Sequence, residues 1–526
     1  MASPSASAGG LSSPTSHLLW GLKIEPTPTY AWAGFALVIG IIFIYSTTSK
    51  DPYASIPAIG RTGALSSYLD AIRFIRQGHV MLMEGYNKYK PGVFRLPDMN
   101  RWHILVSDQK HIDELRKAPD DVLSLDAATE DFLAVSHLAG PTLTSDMYHI
   151  DVVRSQLTRN ISNLYPAMLD ELVPTFEDYI PVTDVDLGAD WTPITVLETG
   201  MKIISRVSNR IFVGAPTCRD PEWVDLNIRF TVDLFIGASI LGFFPEFLKP
   251  VVGRCVTKVP GAIRTGLKHI GAMIEERQRK IDEYGFDYPD RPNDLLSWLM
   301  EEAKGEQRTT RNLTLRILGM NFAAIHTTSM SFAQALFSLA AHPECIAPIR
   351  EEIETVIAEH GWNKVSATHM RKLDSLLKEN QRMYGIGSIT LSRKAVKEFS
   401  FSDGIRIPVG SIVSAPTIAI HRDESVYTDP ETFNVFRFSD MREAEGEGTK
   451  NQMVATSVDY LPFGHGKHAC PGRFFAANEL KAMLAHLLLT YDIKLENEGV
   501  RPANQWFAFA CVPNPKGRVL FRKRRT

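Results

Sequence analysis

Cys470 is the residue whose surroundings most favour chemistry at a side chain. It lies in the stretch Leu461–Phe475, where Pro471 biases it away from helical geometry and the apolar pattern beyond Arg473 reads as a helix opened by Pro471 and Gly472. The sulfur is therefore expected at a helix N-terminus. There, unpaired backbone N–H groups, the positive end of the helix dipole and the neighbouring Lys467 favour a thiolate. Gly464, Gly466 and Gly472 permit tight turns and the close approach of something large and flat. Phe463 offers that object an apolar contact, and His468 offers a polar contact to an acidic edge.

A second polar group, His326-Thr327-Thr328-Ser329, interrupts an apolar run from Thr309 to Ala341 that stops at His342-Pro343. As a helix this run spans about 50 Å at ~1.5 Å per residue, and being apolar on most sides it is expected to cross the interior. Mid-helix threonine can bond back to the carbonyl four residues earlier, and histidine ordinarily titrates near neutrality. A third group is Glu379 and Arg382, neighbours on one face of a predicted helix from Leu373 to Tyr384, followed later by Arg437 in the segment Phe433–Phe438.

The spacing of Phe463, Gly466, His468, Cys470 and Gly472 resembles the haem-ligand loop of cytochrome P450 enzymes. With ordinary residue usage, such a pattern recurs by accident in roughly one in ten thousand chains of this size. Ala323–Thr328 is similar to that family's oxygen-activation turn, with His326 in place of an acid and Ala324 in place of a glycine. Glu379, Arg382 and Arg437 fall on the family's structural Glu-x-x-Arg lock and its later arginine, in the family's order. The resemblance implies Cys470 as axial ligand of haem b iron, Thr327 as the proton-handling threonine, and His326 as a candidate partner in that relay. It also implies Arg393, in the strand Ser392–Lys394, and Arg154 as guanidinium groups for the haem carboxylates, a role their bidentate geometry suits. Ile150 stands where the family has a tryptophan four residues before Arg154. Electrons are expected from NADPH through a separate NADPH–cytochrome P450 reductase, with cytochrome b5 as an optional donor. Lys467, Arg473 and Arg159 are candidates for the docking face.

The remaining elements must position these groups. With 526 residues and 44% hydrophobic content, the chain can bury a large core. The net charge of −3, with no basic stretch interleaved with aromatics, gives no reason to expect nucleic acid. Cys218, Cys255, Cys345, Cys470 and Cys511 are odd in number and lack metal-ligand spacing, which fits a reducing compartment. Residues 1–29 read as a disordered tail. The uncharged run Tyr30–Tyr45 would span about 24 Å as a helix, with Tyr30, Trp32 and Tyr45 suited to interfaces. Residues 30–46 are thus expected to be a single-pass signal anchor in the endoplasmic reticulum membrane. Lys50 and Arg61 then place the body in the cytosol. A linker at 47–62 and one catalytic domain at 63–526 complete the expected organisation. Asn160 and Asn312 head glycosylation triplets but fall in predicted helices, so neither is expected to be modified.

Along the body, a helix is predicted near Leu65–Lys88, strands near Val93–Leu96 and His103–Val106, and a helix over Gln109–Lys117. Asp120–Met147 has no clean period and reads as a binding loop or lid, with an ordinary surface loop as the alternative. Helical patterns then dominate to Leu299, with breaks near Gly214–Pro216 and Phe244–Pro245. The expected fold is mainly α with small β-sheets, the cytochrome P450 fold. By resemblance its pocket takes in 120–147, the first half of the long helix, Ile386–Leu391 and Trp506–Val512. These stretches are overwhelmingly apolar, which implies a lipophilic substrate. Residues 326–332, 441–450 and 470–480 look similar to fungal members acting on terpenoids and steroid-like molecules. Other lipophilic classes (indole-terpenoid, polyketide, fatty acid, xenobiotic), a reductase-independent haem-thiolate isomerase and a non-catalytic haem-binding membrane scaffold remain alternatives.

Overall fold

The computed structural model describes residues 51–524, apart from 64, 65, 100, 183–190, 445 and 447. The expected tail, the span at 30–46 and the first residues of the linker lie outside the described residues. Among the described residues, no helix is long and apolar enough to cross a membrane.

Helices make up most of the unit Pro52–Thr526. Those that position the site are α1 (Ser67–Tyr89), α2 (Gln109–Lys117), α3 (Leu125–Leu133), α4 (Thr158–Tyr179), α5 (Val196–Phe212), α6 (Pro221–Leu241), α7 (Val259–Tyr284), α8 (Thr310–Ala341), α9 (Arg371–Tyr384) and α10 (Arg473–Thr490). As expected, α8 is the long interior helix. The Thr309 side chain caps its first turn by accepting from Asn312 N, and it stops before Pro343. It packs against α5, α6, α7, α9 and α10. A helix so enclosed needs apolar residues nearly all round. Its contact with α5 is close at Gly200, where a Cβ would stand 3.2 Å from the Phe332 ring.

The strands are β1 (Val93–Pro97), β2 (Trp102–Val106), β3 (Leu123–Ser124), β4 (Thr192–Thr195), β5 (Thr390–Ala395), β6 (Phe399–Ser400), β7 (Arg406–Ile407), β8 (Ile412–Ala415), β9 (Tyr491–Leu495), β10 (Gln505–Phe507), β11 (Ala510–Val512) and β12 (Arg518–Lys523). The largest sheet runs β1-β2-β8-β5-β3, with β2 and β8 parallel and its other pairs antiparallel. Smaller sheets are β4-β12-β9, β10-β11 and β6-β7. One apolar core surrounds α8, and a second lies between α1 and the largest sheet. Mainly α with small sheets is thus the observed class.

The stretch 120–147 is a correction to the expected loop. It forms β3, α3 and a further short helix, Val135–Ala139. Ser124 caps α3 by accepting from Ala127 N at 3.1 Å, and Ala134, at φ 46°, breaks the chain between the two helices. Elements of nine and five residues are too short for a helical period to emerge.

Candidate active site

The cysteine loop closes on itself. Cys470 N donates to the Phe463 carbonyl at 2.8 Å, and Gly464 and Gly466 take φ of +66° and +78°, the left-handed conformation that glycine adopts without strain. Gly472 is the N-cap residue of α10, so the sulfur does sit at a helix N-terminus. Its electrostatics depart from expectation. Burial pushes the Cys470 thiol up, outweighing the backbone N–H groups of Gly472 and Arg473 and the Arg473 charge that favour the thiolate. Lys467 takes no part, because its ammonium pairs with Asp120 at 3.0 Å. Arg473 donates from Nη1 to the Cys470 carbonyl at 2.7 Å.

Cys470 and Phe463 border a cavity of about 520 Å³ that is also lined by Ala323, Thr327, Thr328 and Ser331 of α8. Ala323, Thr327 and Ser331 recur every four residues, so one face of the helix presents all three. The Thr327 hydroxyl donates to the Ala323 carbonyl at 2.8 Å, and Ser331 donates to the Thr327 carbonyl at 2.9 Å. Of the α8 residues that reach the cavity, Ala323 lies in the first half of the helix and Thr327, Thr328 and Ser331 lie just past its midpoint. Ile389, Thr390, Phe509 and Ala510 extend the lining from the two other predicted stretches, and Phe132 of α3 does so from 120–147.

His326 faces a different neighbour from Thr327. Its Nε2 donates to the Ile228 carbonyl on α6 at 3.0 Å, and it does not line the cavity. Burial depresses its basicity, against the hydrogen bond to Ile228. One residue before Thr327 is about 100° around a helix, enough to aim the ring at a neighbouring helix.

The scaffold residues meet as expected, and in a setting the sequence alone does not distinguish from a surface pair. Glu379 and Arg382 are both fully buried, and Arg437 Nε reaches Glu379 Oε1 at 3.2 Å. Arg382 Nη1 donates to the carbonyls of His421 and Pro430 at 2.6 and 2.7 Å, and Arg437 Nη1 to that of Thr428 at 2.6 Å. The charges are thus anchored to the chain segment that leads toward the cysteine loop.

The cytochrome P450 family model matches residues 194–521, which include the mid-α8 face, the buried Glu379–Arg382 pair and the Cys470 loop. The chain belongs to the cytochrome P450 family. Cytochrome P450 monooxygenase 151 of Postia placenta is 44% identical over 94% of this chain and 98% of its own length. Cytochrome P450 monooxygenase CYP512U6 of Ganoderma lucidum is 34% identical over 94% and 96%. Ent-kaurene oxidase P450-4 of Gibberella fujikuroi is 31% identical over 92% and 95%. The chain is accordingly a monooxygenase, an oxidoreductase of the haem family.

The residues of this P450 fit a haem. Arg393 is buried on β5 with Nη1 donating to the Ser392 carbonyl at 2.9 Å, and its Nη2 is buried with no protein partner, a donor left for an acid. His468 Nε2 lies 2.7 Å from Asp120 Oδ1 at the edge of the cysteine loop. Arg154 is placed differently from expectation. It is 53% exposed, paired with Asp151 at 3.3 Å, and its Nη2 lies 3.4 Å from the Lys467 carbonyl of the cysteine loop. The π-helical turn Val153–Leu157 that carries it shifts the helical phase at this point.

Sequence reasoning placed Phe132 in the pocket only as part of 120–147, and did not single out Thr328 or Ser331 as lining residues or Asp120 as the partner of the cysteine loop. Ser331 was within reach of four-residue spacing from Thr327. Phe132 and Asp120 carried no periodic signal.

Proposed function

We propose that this cytochrome P450 binds haem b through Cys470 and hydroxylates a terpenoid, of diterpene, sesquiterpene or steroid-like size, in fungal secondary metabolism. It takes electrons from NADPH through a separate reductase, with cytochrome b5 as an optional donor. The catalytic domain, 63–526, is held at the endoplasmic reticulum membrane by residues 30–46, a reading supported by their uncharged, aromatic-flanked composition. The observation that carries the proposal is that Cys470 and Thr327 line one cavity.

Haem bound at the cysteine supplies the activation of O₂ for insertion into a C–H bond. The chain supplies the rest. The N–H groups of Gly472 and Arg473 favour negative charge on Cys470 Sγ. The Thr327 hydroxyl, parked on the Ala323 carbonyl, keeps lone pairs free to accept a proton's hydrogen bond and can rotate to donate one. Phe463, Ile389 and Phe509 exclude water and hold an apolar substrate. Glu379, Arg382 and Arg437 hold the scaffold and take no part in the chemistry. The terpenoid reading is supported by a relative named as an ent-kaurene oxidase and by the apolar lining.

The test is expression with a reductase, the reduced CO-bound absorbance spectrum, and product profiling on a terpenoid panel. A Soret band with the red shift typical of a thiolate ligand is expected, lost in Cys470→Ala, together with hydroxylated products that require NADPH. Turnover retained by Cys470→Ala, or turnover without reductase, would sink the reading.

A further inference from the structure

We infer that Asp120 competes with the acidic edge of the haem for His468 and Lys467, and so limits how firmly that edge is held. The inference rests on the haem reading above. Asp120 follows α2 after Ala118 and Pro119, in a stretch that no chemical motif marks. Its Oδ1 accepts from His468 Nε2 at 2.7 Å and pairs with Lys467 Nζ at 3.0 Å, so one oxygen holds both side chains that flank the loop two and three residues before Cys470. Burial opposes ionisation of this carboxyl, yet His468 and Lys467 together hold it below the usual range.

On the haem reading, His468 and Arg393 are residues that would hold a haem carboxylate. The charge of Asp120 is felt by buried Arg393, whose Nη2 has no protein partner. His468 and Lys467 on the loop thus hold Asp120 directly, and Arg393 on β5 feels the same carboxylate through its charge. His468 Nε2 carries one N–H and serves one acceptor at a time. A second carboxylate arriving at these donors meets a like charge and finds His468 Nε2 already engaged. Asp120 is the partner that yields. Its side chain is 54% exposed, so water replaces its contacts, whereas Arg393 Nη2 is sealed from water.

The experiment uses the full-length protein loaded with haem or with haem dimethyl ester, whose edge is uncharged. Loss of the porphyrin to excess apomyoglobin is followed by absorbance. Asp120→Asn removes the charge and Asp120→Ala removes charge and acceptor together. Both are expected to slow haem loss at least about threefold, about 0.7 kcal/mol, and to leave loss of the dimethyl ester unchanged. Haem loss that is unchanged or faster in the variants, or an equal slowing with the ester, overturns the inference. If the wild-type protein lacks the thiolate-type CO spectrum, the haem reading falls and this inference with it. If the spectrum is present and the variants do not slow loss, only the inference falls.

Discussion

The Arg382 guanidinium meets the Glu379 carboxylate side-on, with Nε 2.8 Å from Oε2 and Nη2 2.8 Å from Oε1, and neither side chain is exposed. An exposed pair at this spacing contributes ~0–1 kcal/mol, but removing one partner of a buried pair leaves an uncompensated charge and costs ~3–5 kcal/mol. Glu379→Gln and Arg382→Gln are therefore expected to lower stability by about that amount, read as a fall in Tm, and to reduce the haem content of purified protein. A loss no greater than that of a surface substitution would contradict the buried geometry.

Thr327 and His326 are adjacent in sequence and face different surroundings. Thr327→Val is expected to lower product formed per NADPH oxidised by about tenfold, less than the ~10²–10⁴ range for a full general acid–base group because water can stand in for a hydroxyl. His326→Leu removes one hydrogen bond to Ile228, a cost of ~1 kcal/mol in stability, and is expected to leave that ratio unchanged. A fall in coupling for His326→Leu, at full haem content, would restore the histidine to the proton path.

Glu479 on α10 gives a pH signature. Burial pushes its carboxyl up to about 8, although Ser208 donates to it at 2.7 Å, and its Oε2 has no partner. Below the ordinary glutamate range the group is protonated in both states and its contribution to stability is complete. As pH rises the unfolded chain ionises first, so that contribution is lost progressively until the folded group also ionises near 8. Glu479→Gln is neutral throughout. Its Tm relative to wild type is therefore expected to climb from about pH 5 to about pH 8.5, as scanning fluorimetry can measure. The underlying free energy is ~1.4 kcal/mol for each pH unit that separates the two ionisations. A gap that does not change with pH would rule this out.

Arg393 and Arg154 are both candidates by resemblance, Arg154 without the tryptophan that the family places four residues before it, and they separate in the structure. Arg393→Gln deletes a buried donor, and a hydrogen bond to a charged acid contributes ~1.5–3 kcal/mol, so haem loss is expected to accelerate about tenfold or more. Arg154→Gln changes an exposed side chain paired with Asp151 and is expected to leave the rate nearly unchanged. Equal effects in the two variants would show that the two guanidinium groups share the role.

The parts legible in the chain were those encoded locally. Pro471 and Gly472 marked the start of α10, Thr309 and Pro343 bracketed α8, and β1 and β2 fell where two short strands were expected near Val93–Leu96 and His103–Val106. These depend on backbone preferences that a few neighbouring residues impose. Where elements were short and capped by single side chains, as at Ser124 and Ala134, periodicity had too few residues to register.

By itself, then, the sequence determined the mainly helical class, the loop that presents Cys470, and the family to which that loop and its companion motifs point. Tertiary structure alone decided what each polar side chain faces. It turned His326 toward Ile228, buried the Glu379–Arg382 pair, left Arg393 Nη2 without a partner and gave Lys467 and His468 to Asp120. The reason is physical. Motif spacing sets where a side chain leaves the backbone, whereas its partner and its access to water depend on segments hundreds of residues away, such as Asp120 and His468, that meet only when the core closes.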